Sequence, residues 1–178
     1  FGCQKTLNWR VFANQKIHLA GANGSGKTTL LRVLQGKQKL LKGELRLNVA
    51  TFYLDQHFGL INEQQTVVDN LMDKCDVLDE SSARSLLAGI GFRREDVFRS
   101  AAVLSGGEKM KLSMLIATHQ SSLPFLLLDE PDNHLDLESK RILAEALTEF
   151  QGGFLLISHD SDFVTDAGVS HRFNICDE

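Results

Sequence analysis

Short apolar runs separated by amphipathic stretches are the dominant pattern of this chain. Residues 17–20, 124–129 and 154–157 are almost wholly apolar, and Asp129 closes the second of these runs. Such runs are typical of strands that are buried on both faces of a parallel sheet. The sequence therefore predicts central strands at these three places.

Other strands are predicted from less apolar patterns. Residues 7–11 alternate apolar and polar positions, as expected of a half-buried antiparallel strand. Residues 44–48 and 51–54 predict two more strands. The N-terminal β part of the fold is therefore expected to be antiparallel.

The intervals between the runs carry helical patterns. Apolar residues recur with a helical period within residues 66–98 and 137–150. Helices are also predicted from residue 27 to about 36, where Gly36 favours a helix C-terminus, and from residue 106 to about 119. Strands that alternate with helices predict an α/β fold on a mainly parallel sheet.

Length and composition indicate one globular domain over residues 1–178, which are 43% hydrophobic and 24% charged. We expect residues 61–120 to form an inserted helical subdomain, with residues 1–60 and 121–178 forming the core. Because the chain begins at Phe1 rather than at a methionine, we expect it to be a piece of a longer protein.

Charge, hydropathy and cysteine content limit the binding partners and the cellular compartment that the sequence predicts. The net charge of −4 gives no general reason to expect binding to nucleic acid or to an anionic membrane. No apolar run reaches the roughly 18 residues of a membrane span. Three widely separated cysteines predict reduced thiols in the cytoplasm rather than disulfides or a metal site.

Residues 21–28 read GANGSGKT, a complete phosphate-binding motif between a predicted strand and a predicted helix. Its glycines let backbone N–H groups point at phosphate oxygens, with the helix N-terminus behind them. Lys27 is expected to reach the β- and γ-phosphates, and Thr28 to ligate Mg²⁺. A plain glycine-rich turn is the alternative, which the flanking elements disfavour. The candidate nucleotide-binding residues are Gly21, Ala22, Asn23, Gly24, Ser25, Gly26, Lys27, Thr28 and Thr29.

Two adjacent carboxylates follow the apolar run of the third quarter of the chain. Asp129 is expected to face the Mg²⁺ that Thr28 ligates, and Glu130 to act as general base on an attacking water. Such a pair is otherwise often a helix cap and a solvated acid. The preceding apolar residues and the following Pro131 favour the catalytic interpretation.

Two polar residues are expected at the same edge of the sheet, where α/β proteins bind their ligands. Gln56 follows a predicted strand and is a candidate to bridge Mg²⁺ and the attacking water, although a lone glutamine is as often a solvated loop residue. His159 follows the strand at 154–157 and is a candidate to hydrogen-bond the γ-phosphate. An isolated histidine more often has no such role, but its place at a strand end favours one.

A second anion-binding motif, LSGGE, spans residues 104–108. A serine hydroxyl and bare backbone amides at a helix N-terminus suit a phosphate group. Since one nucleotide already has its cradle at 21–28, the economical explanation is an ATP held by another copy. The residues expected to bind it in trans are Ser105, Gly106, Gly107 and Glu108.

Taken in order, these motifs resemble an ABC-type ATPase nucleotide-binding domain of the P-loop NTPase fold. They are GANGSGKT at 21–28, Gln56, LSGGE at 104–108, LLLDEP at 126–131 and SHD at 158–160. The resemblance implies an ATPase that uses ATP and Mg²⁺ and closes face to face with a second ABC domain. By the same resemblance, Phe1 falls where the family places the aromatic residue that stacks on adenine.

Residues 131–136, PDNHLD, resemble the corresponding loop of the ABC-F proteins, where transporters more often carry Ser-Ala-Leu-Asp. ABC-F proteins are soluble and carry two ATPase domains on one chain, and many act on the ribosome. The resemblance thus implies a cytoplasmic protein without a transmembrane segment that partners a second ABC domain and the ribosome. Asp132 stands where threonine is usual, and the sequence assigns it no role.

Three other functions remain open. The ATP-binding subunit of an ABC transporter would share the catalytic residues but dock a membrane partner beside Gln56, and Asn133 and His134 disfavour it. A binding module without turnover is disfavoured by the intact Glu130 and His159. A DNA-repair or chromosome-type ABC ATPase usually carries coiled-coil or zinc insertions, and neither is seen in the sequence.

Overall fold

The computed structural model describes residues 7–55 and 58–175, and within them one five-stranded sheet. The strand order is β2-β3-β4-β1-β5, and every neighbouring pair is parallel. All carboxyl ends therefore lie along one edge of the sheet. The strands are β1 (Lys16–Ala20), β2 (Thr51–Asp55), β3 (Phe125–Asp129), β4 (Phe154–Ile157) and β5 (His171–Asn174).

Helices connect the strands, and most of those between β2 and β3 lie where helical spacing predicts them. Side chains that accept a backbone N–H begin five of the helices in the described residues, namely Thr66, Asp79, Ser105, Asp136 and Asp160. The helices are α1 (Lys27–Leu34), α2 (Val67–Lys74), α3 (Glu80–Gly89), α4 (Gly106–Thr118), α5 (Leu137–Glu149) and α6 (Ser161–Asp166), with 3-10 turns at Arg94–Phe98 and Ala101–Val103.

The central strands are covered on both faces, which explains their continuous apolar sequence. On β3, Leu126 and Leu128 point to one face of the sheet, where they belong to the larger of two hydrophobic cores, together with residues of α2 to α6. Phe125 and Leu127 point to the other face and pack with Leu31 of α1 in the smaller core. The strands predicted at 17–20, 124–129 and 154–157 are confirmed, as is the parallel α/β sheet.

The antiparallel N-terminal part is not formed as strands in the part of the chain that the structure describes. Trp9 and Val11 of the segment 7–11 pack against the smaller core instead, and Trp9 stacks on Phe173 with ring centroids 4.2 Å apart. Residues 44–48 are exposed and outside the sheet. An extended segment becomes a strand only when a neighbour satisfies its backbone groups, and the described residues provide neither segment with such a neighbour.

Within residues 7–55 and 58–175, every helix is too short or too polar to cross a membrane. The longest, α4 and α5, have 13 residues each.

Candidate nucleotide-binding site

Most of the residues predicted to carry chemistry follow the carboxyl ends of neighbouring strands. The phosphate-binding motif follows β1, Asp129 ends β3 with Glu130 directly after it, and His159 follows β4. Because β1, β4 and β3 are adjacent and parallel, these segments meet at one edge of the sheet. Gln56 and Phe1 lie outside the described residues.

The phosphate-binding loop is shaped by glycines in backbone conformations that other residues rarely adopt. Gly24 and Gly26 have φ angles of 78° and 100°. A Cβ on Gly21 would lie 2.6 Å from Ile175, so the loop passes too close for a side chain there. The helix α1 begins directly after Gly26, and no side chain caps its N-terminus. Its first N–H groups are thus left for an anion.

The polar side chains of the loop fit a bound triphosphate. Lys27 is only 8% exposed, and its Nζ donates hydrogen bonds to the carbonyls of Gly21 at 2.6 Å and Ala22 at 3.1 Å. The Ser25 hydroxyl is buried and has no hydrogen-bond partner among the described residues. A buried unpaired hydroxyl is unfavourable, and a phosphate oxygen is the partner that this loop chemistry suits.

Asp129 receives hydroxyl groups on both of its carboxylate oxygens. Thr28 Oγ1 donates to Oδ1 at 3.5 Å, and the hydroxyl of Tyr53 donates to Oδ2 at 3.1 Å. Burial raises the pKa of the Asp129 carboxyl, and these two hydroxyl groups oppose the rise. A threonine hydroxyl beside a carboxylate is an all-oxygen donor set of the kind that Mg²⁺ prefers.

Tyr53 is a site residue that sequence reasoning missed. The β2–β3 register pairs Tyr53 with Leu127 and Asp55 with Asp129, so Tyr53 and Asp129 share a sheet face, two residues apart. Burial, and then the charge of Asp129, raises the pKa of the Tyr53 hydroxyl, which therefore stays a donor. The available signal was an aromatic residue on the strand before Gln56, which reads equally well as core.

Glu130 and His159 approach each other beside this carboxylate. Glu130 has a φ of 52°, a left-handed conformation that is rare for a residue with a side chain. Its Oε2 accepts a 2.6 Å hydrogen bond from Asn133, and its Oε1 lies 3.5 Å from His159 Nε2. The two side chains are 33% and 55% exposed, so water reaches both.

Ser105 lies at the N-terminus of α4, where its side chain and that of Glu108 cap the helix reciprocally. Ser105 Oγ donates to Glu108 Oε2 at 2.9 Å and accepts the Glu108 N–H at 3.2 Å. Burial would raise the pKa of Glu108, but the Ser105 and Arg99 hydrogen bonds lower it overall. This motif belongs to a helix packed on α2, α3 and α5 rather than to the sheet that carries residues 21–28.

Comparison with known sequences gives one family. The sequence model of the ABC transporter family matches residues 4–133. The Bacillus subtilis protein called uncharacterized ABC transporter ATP-binding protein YfmM is 38% identical over 164 residues, covering 91% of this chain and 31% of YfmM. ABC transporter F family member 5 of Arabidopsis thaliana is 35% identical over 165 residues, covering 90% of this chain and 24% of that protein. The chain thus spans about a quarter to a third of these relatives.

Solved structures share the fold. An inward-facing structure of an ABC transporter assigned to the metal-chelate type superposes with a TM-score of 0.76 at 20% identity, over 95% of this chain and 71% of that one. The structure of an RNase-L Inhibitor superposes with a TM-score of 0.70 at 25% identity, over 91% of this chain and 32% of that one.

Proposed function

Because the chain belongs to the ABC transporter family, we propose that it binds ATP with Mg²⁺ and hydrolyses it to ADP and phosphate. The observation that carries this proposal is the convergence, at one edge of a parallel sheet, of a glycine-rich loop, the partly buried carboxylate of Asp129 and an acid–histidine pair. Phosphoryl transfer to water needs charge neutralisation and an oriented water, and these groups provide both.

Each group has a separate part in the proposed reaction. The loop N–H groups and Lys27 would hold the phosphates, and Thr28 and Asp129 would hold Mg²⁺, which when bound would neutralise charge on the phosphate oxygens. Glu130 takes the proton of the attacking water as general base, and His159 hydrogen-bonds the γ-phosphate. Gln56 is proposed to bridge the metal and the water.

We propose that a second ABC domain completes the site. Ser105 caps a 13-residue helix, and its hydroxyl and the neighbouring glycine amides are suited to bind a phosphate. Because residues 21–28 would already bind the nucleotide of the same copy, this second phosphate would belong to a nucleotide of another copy. To bind a partner's γ-phosphate, the Ser105 hydroxyl must exchange its bond to Glu108 for one to phosphate oxygen. ATP then stabilises the closed pair and hydrolysis releases it. Phe1 is proposed to stack on adenine.

An ABC-F-type role on the ribosome, in the cytoplasm, is the finer proposal. Its support is the PDNHLD loop and the F family name carried by relatives such as the Arabidopsis protein. The ATP-binding subunit of a transporter stays the alternative, because the family match is compatible with both. The two differ in the partner bound in the ATP state, which is a ribosome in one case and a membrane complex in the other.

Glu130→Gln is the variant that tests the proposal. In the full polypeptide it should keep ATP affinity, measured by calorimetry, while steady-state hydrolysis falls at least about 100-fold because the general base is lost. With ATP it should accumulate as a closed pair on size-exclusion chromatography and co-sediment with ribosomes. Lys27→Ala should instead lose ATP affinity itself.

The control is Glu145→Gln, which removes an exposed acid paired with Arg141 outside the site and should leave turnover unchanged. Undiminished hydrolysis by Glu130→Gln would rule out Glu130 as base. Intact ATP binding by Lys27→Ala would contradict the phosphate site. Capture by membranes rather than ribosomes would favour the transporter alternative.

A further inference from the structure

A buried carboxylate that the proposed reaction does not use lies just beyond Glu130. Asp132 is 3% exposed, and its Oδ2 accepts a 3.0 Å hydrogen bond from Ser158 Oγ. Its Oδ1 is buried without a hydrogen-bond partner among the described residues. An ionisable group buried at this cost calls for a structural or functional reason.

The hydrogen bond has a defined direction. Ser158 is 6% exposed, and its Oγ accepts the backbone N–H of Asp160 at 3.0 Å. The hydroxyl has a single O–H to donate, and it donates that hydrogen bond to the Asp132 carboxylate. Ser158 directly precedes His159, and Asp132 follows Glu130 by two positions. The bond therefore joins the two loops that carry the acid and the histidine.

A backbone hydrogen bond also joins the Glu130 loop to the end of strand β4, directly before Ser158. The N–H of Glu130 donates to the carbonyl of Ile157 at 2.9 Å. The Glu130 and His159 side chains are part exposed and 3.5 Å apart, which is too loose for their own contact to fix their geometry. Their separation is therefore set by the loops beneath them.

We infer that Asp132 is a positioning residue, which holds the His159 loop against the Glu130 loop through its hydrogen bond to Ser158. This inference rests on the proposed ATPase reaction and adds to it a side chain that touches neither nucleotide nor water. The role depends on an acceptor at this place and not on a negative charge. Asparagine supplies the same acceptor, and alanine does not.

The surrounding charges make the asparagine comparison informative. Lys140 of α5 pairs with Asp160 at 2.8 Å, and both charges act on Asp132. Burial raises the pKa of the Asp132 carboxyl, while Lys140 and the Ser158 hydrogen bond lower it. Asp132→Asn removes the charge from this cluster and keeps the Ser158 bond, so the two contributions separate.

The test compares Asp132→Asn, Asp132→Ala and Ser158→Ala in the full polypeptide. Asp132→Ala and Ser158→Ala should lower kcat for ATP hydrolysis about tenfold with little change in KM, since a buried hydrogen bond of about 1.4 kcal/mol corresponds to that factor. Asp132→Asn should stay within about threefold of wild type. Ser113→Ala is the matched control, because it removes another buried serine hydroxyl, bonded to the Lys109 carbonyl, and should leave kcat unchanged.

A second measurement does not need turnover. The imidazole ¹⁵N chemical shifts of His159, assigned by their loss in His159→Gln, should move in Asp132→Ala and Ser158→Ala but not in Asp132→Asn. Urea unfolding of each variant separates a local change from loss of the fold. A wild type that binds but does not hydrolyse ATP would defeat the proposed function, and the His159 shifts would still decide the inference.

Three outcomes would overturn the inference. They are an Asp132→Ala protein with wild-type kcat and unmoved His159 signals, an Asp132→Asn protein as impaired as Asp132→Ala, and a Ser113→Ala protein as impaired as Ser158→Ala.

Discussion

Asp129 is held by two hydroxyl groups of different origin. Thr28 comes from the phosphate-binding motif, and Tyr53 comes from the neighbouring strand β2. A carboxylate that ligates a metal usually has its second oxygen hydrogen-bonded, and loss of that partner typically costs 10–100-fold in metal affinity or activity. Tyr53 fits this supporting position.

Tyr53→Phe should therefore weaken the metal site without altering the phosphate loop. We expect the Mg²⁺ concentration for half-maximal ATP hydrolysis to rise about tenfold, because Asp129 Oδ2 loses its donor. Binding of Mn²⁺ in the presence of ATP, followed by electron paramagnetic resonance, should weaken by a similar factor. An unchanged Mn²⁺ affinity together with unchanged Mg²⁺ dependence would show that the tyrosine hydroxyl does not support the metal site.

At the level of residues, the sequence indicates groups that belong to contiguous motifs and misses those that meet through folding. The sequence motifs alone are enough to make the loop at 21–28 and the pair Asp129 and Glu130 candidate site residues. Asp132 is not, since its partner Ser158 lies 26 positions away along the chain. Tyr53 is hidden because an aromatic residue in a strand reads as core.

At the level of elements, the N-terminus of α4 is pressed against α5. A Cβ on Gly107 would overlap Ser139 and come within 3.1 Å of its Cβ, whereas a Cβ on Gly106 would lie 3.4 Å from Leu135. The second distance is an ordinary contact. The two adjacent glycines of the LSGGE motif thus differ in what surrounds them.

Gly107→Ala should destabilise the fold, although alanine favours helices by about 1 kcal/mol over glycine. We expect the free energy of unfolding in urea to fall by about 1–3 kcal/mol, the usual cost of overpacking. Gly106→Ala is the matched control and should be neutral or stabilising. Ser139→Ala should relieve much of the loss in Gly107→Ala. Equal effects of the two glycine changes would mean that α5 yields to the new side chain.

Some strands follow from their own sequence, and others form only because a distant segment pairs with them. The central strands follow from their apolar runs because both faces of a parallel sheet are buried. Strand β5 has the sequence HRFN, with His171 and Arg172 exposed, and it forms only because β1 offers a backbone partner. Residues 7–11 have the better strand pattern, but in the described residues they pack through Trp9 instead of pairing.

At the level of the whole molecule, Asp132 links stability to pH. Its pKa is raised in the folded state, mainly by burial. The stability that it contributes is therefore complete below the pKa of the unfolded chain and is lost as the pH rises through the folded value. Lys140 and Asp160 act on it in opposite directions, and neither removes the cost of burial.

Asp132→Asn should then gain stability over wild type as the pH rises. The measurement is urea unfolding of both proteins from pH 4 to pH 8, plotted as the difference in free energy of unfolding. We expect that difference to grow across the series. The control is Asp76→Asn, which removes the charge of an exposed aspartate rather than a buried one. A flat difference for Asp132→Asn would show that the buried carboxyl is not the source of the pH dependence.

The hydrogen bonds of Lys27 to its own loop have a consequence for the entropic cost of binding a nucleotide. Its ammonium group donates hydrogen bonds to two loop carbonyls, and these bonds hold the loop in shape without a ligand. An incoming nucleotide exchanges one set of acceptor oxygens for another and orders little backbone in doing so. Preorganisation of this kind lowers the entropic cost of capture, since the carbonyls of Gly21 and Ala22 already occupy the acceptor positions on Lys27 that phosphate oxygens would take.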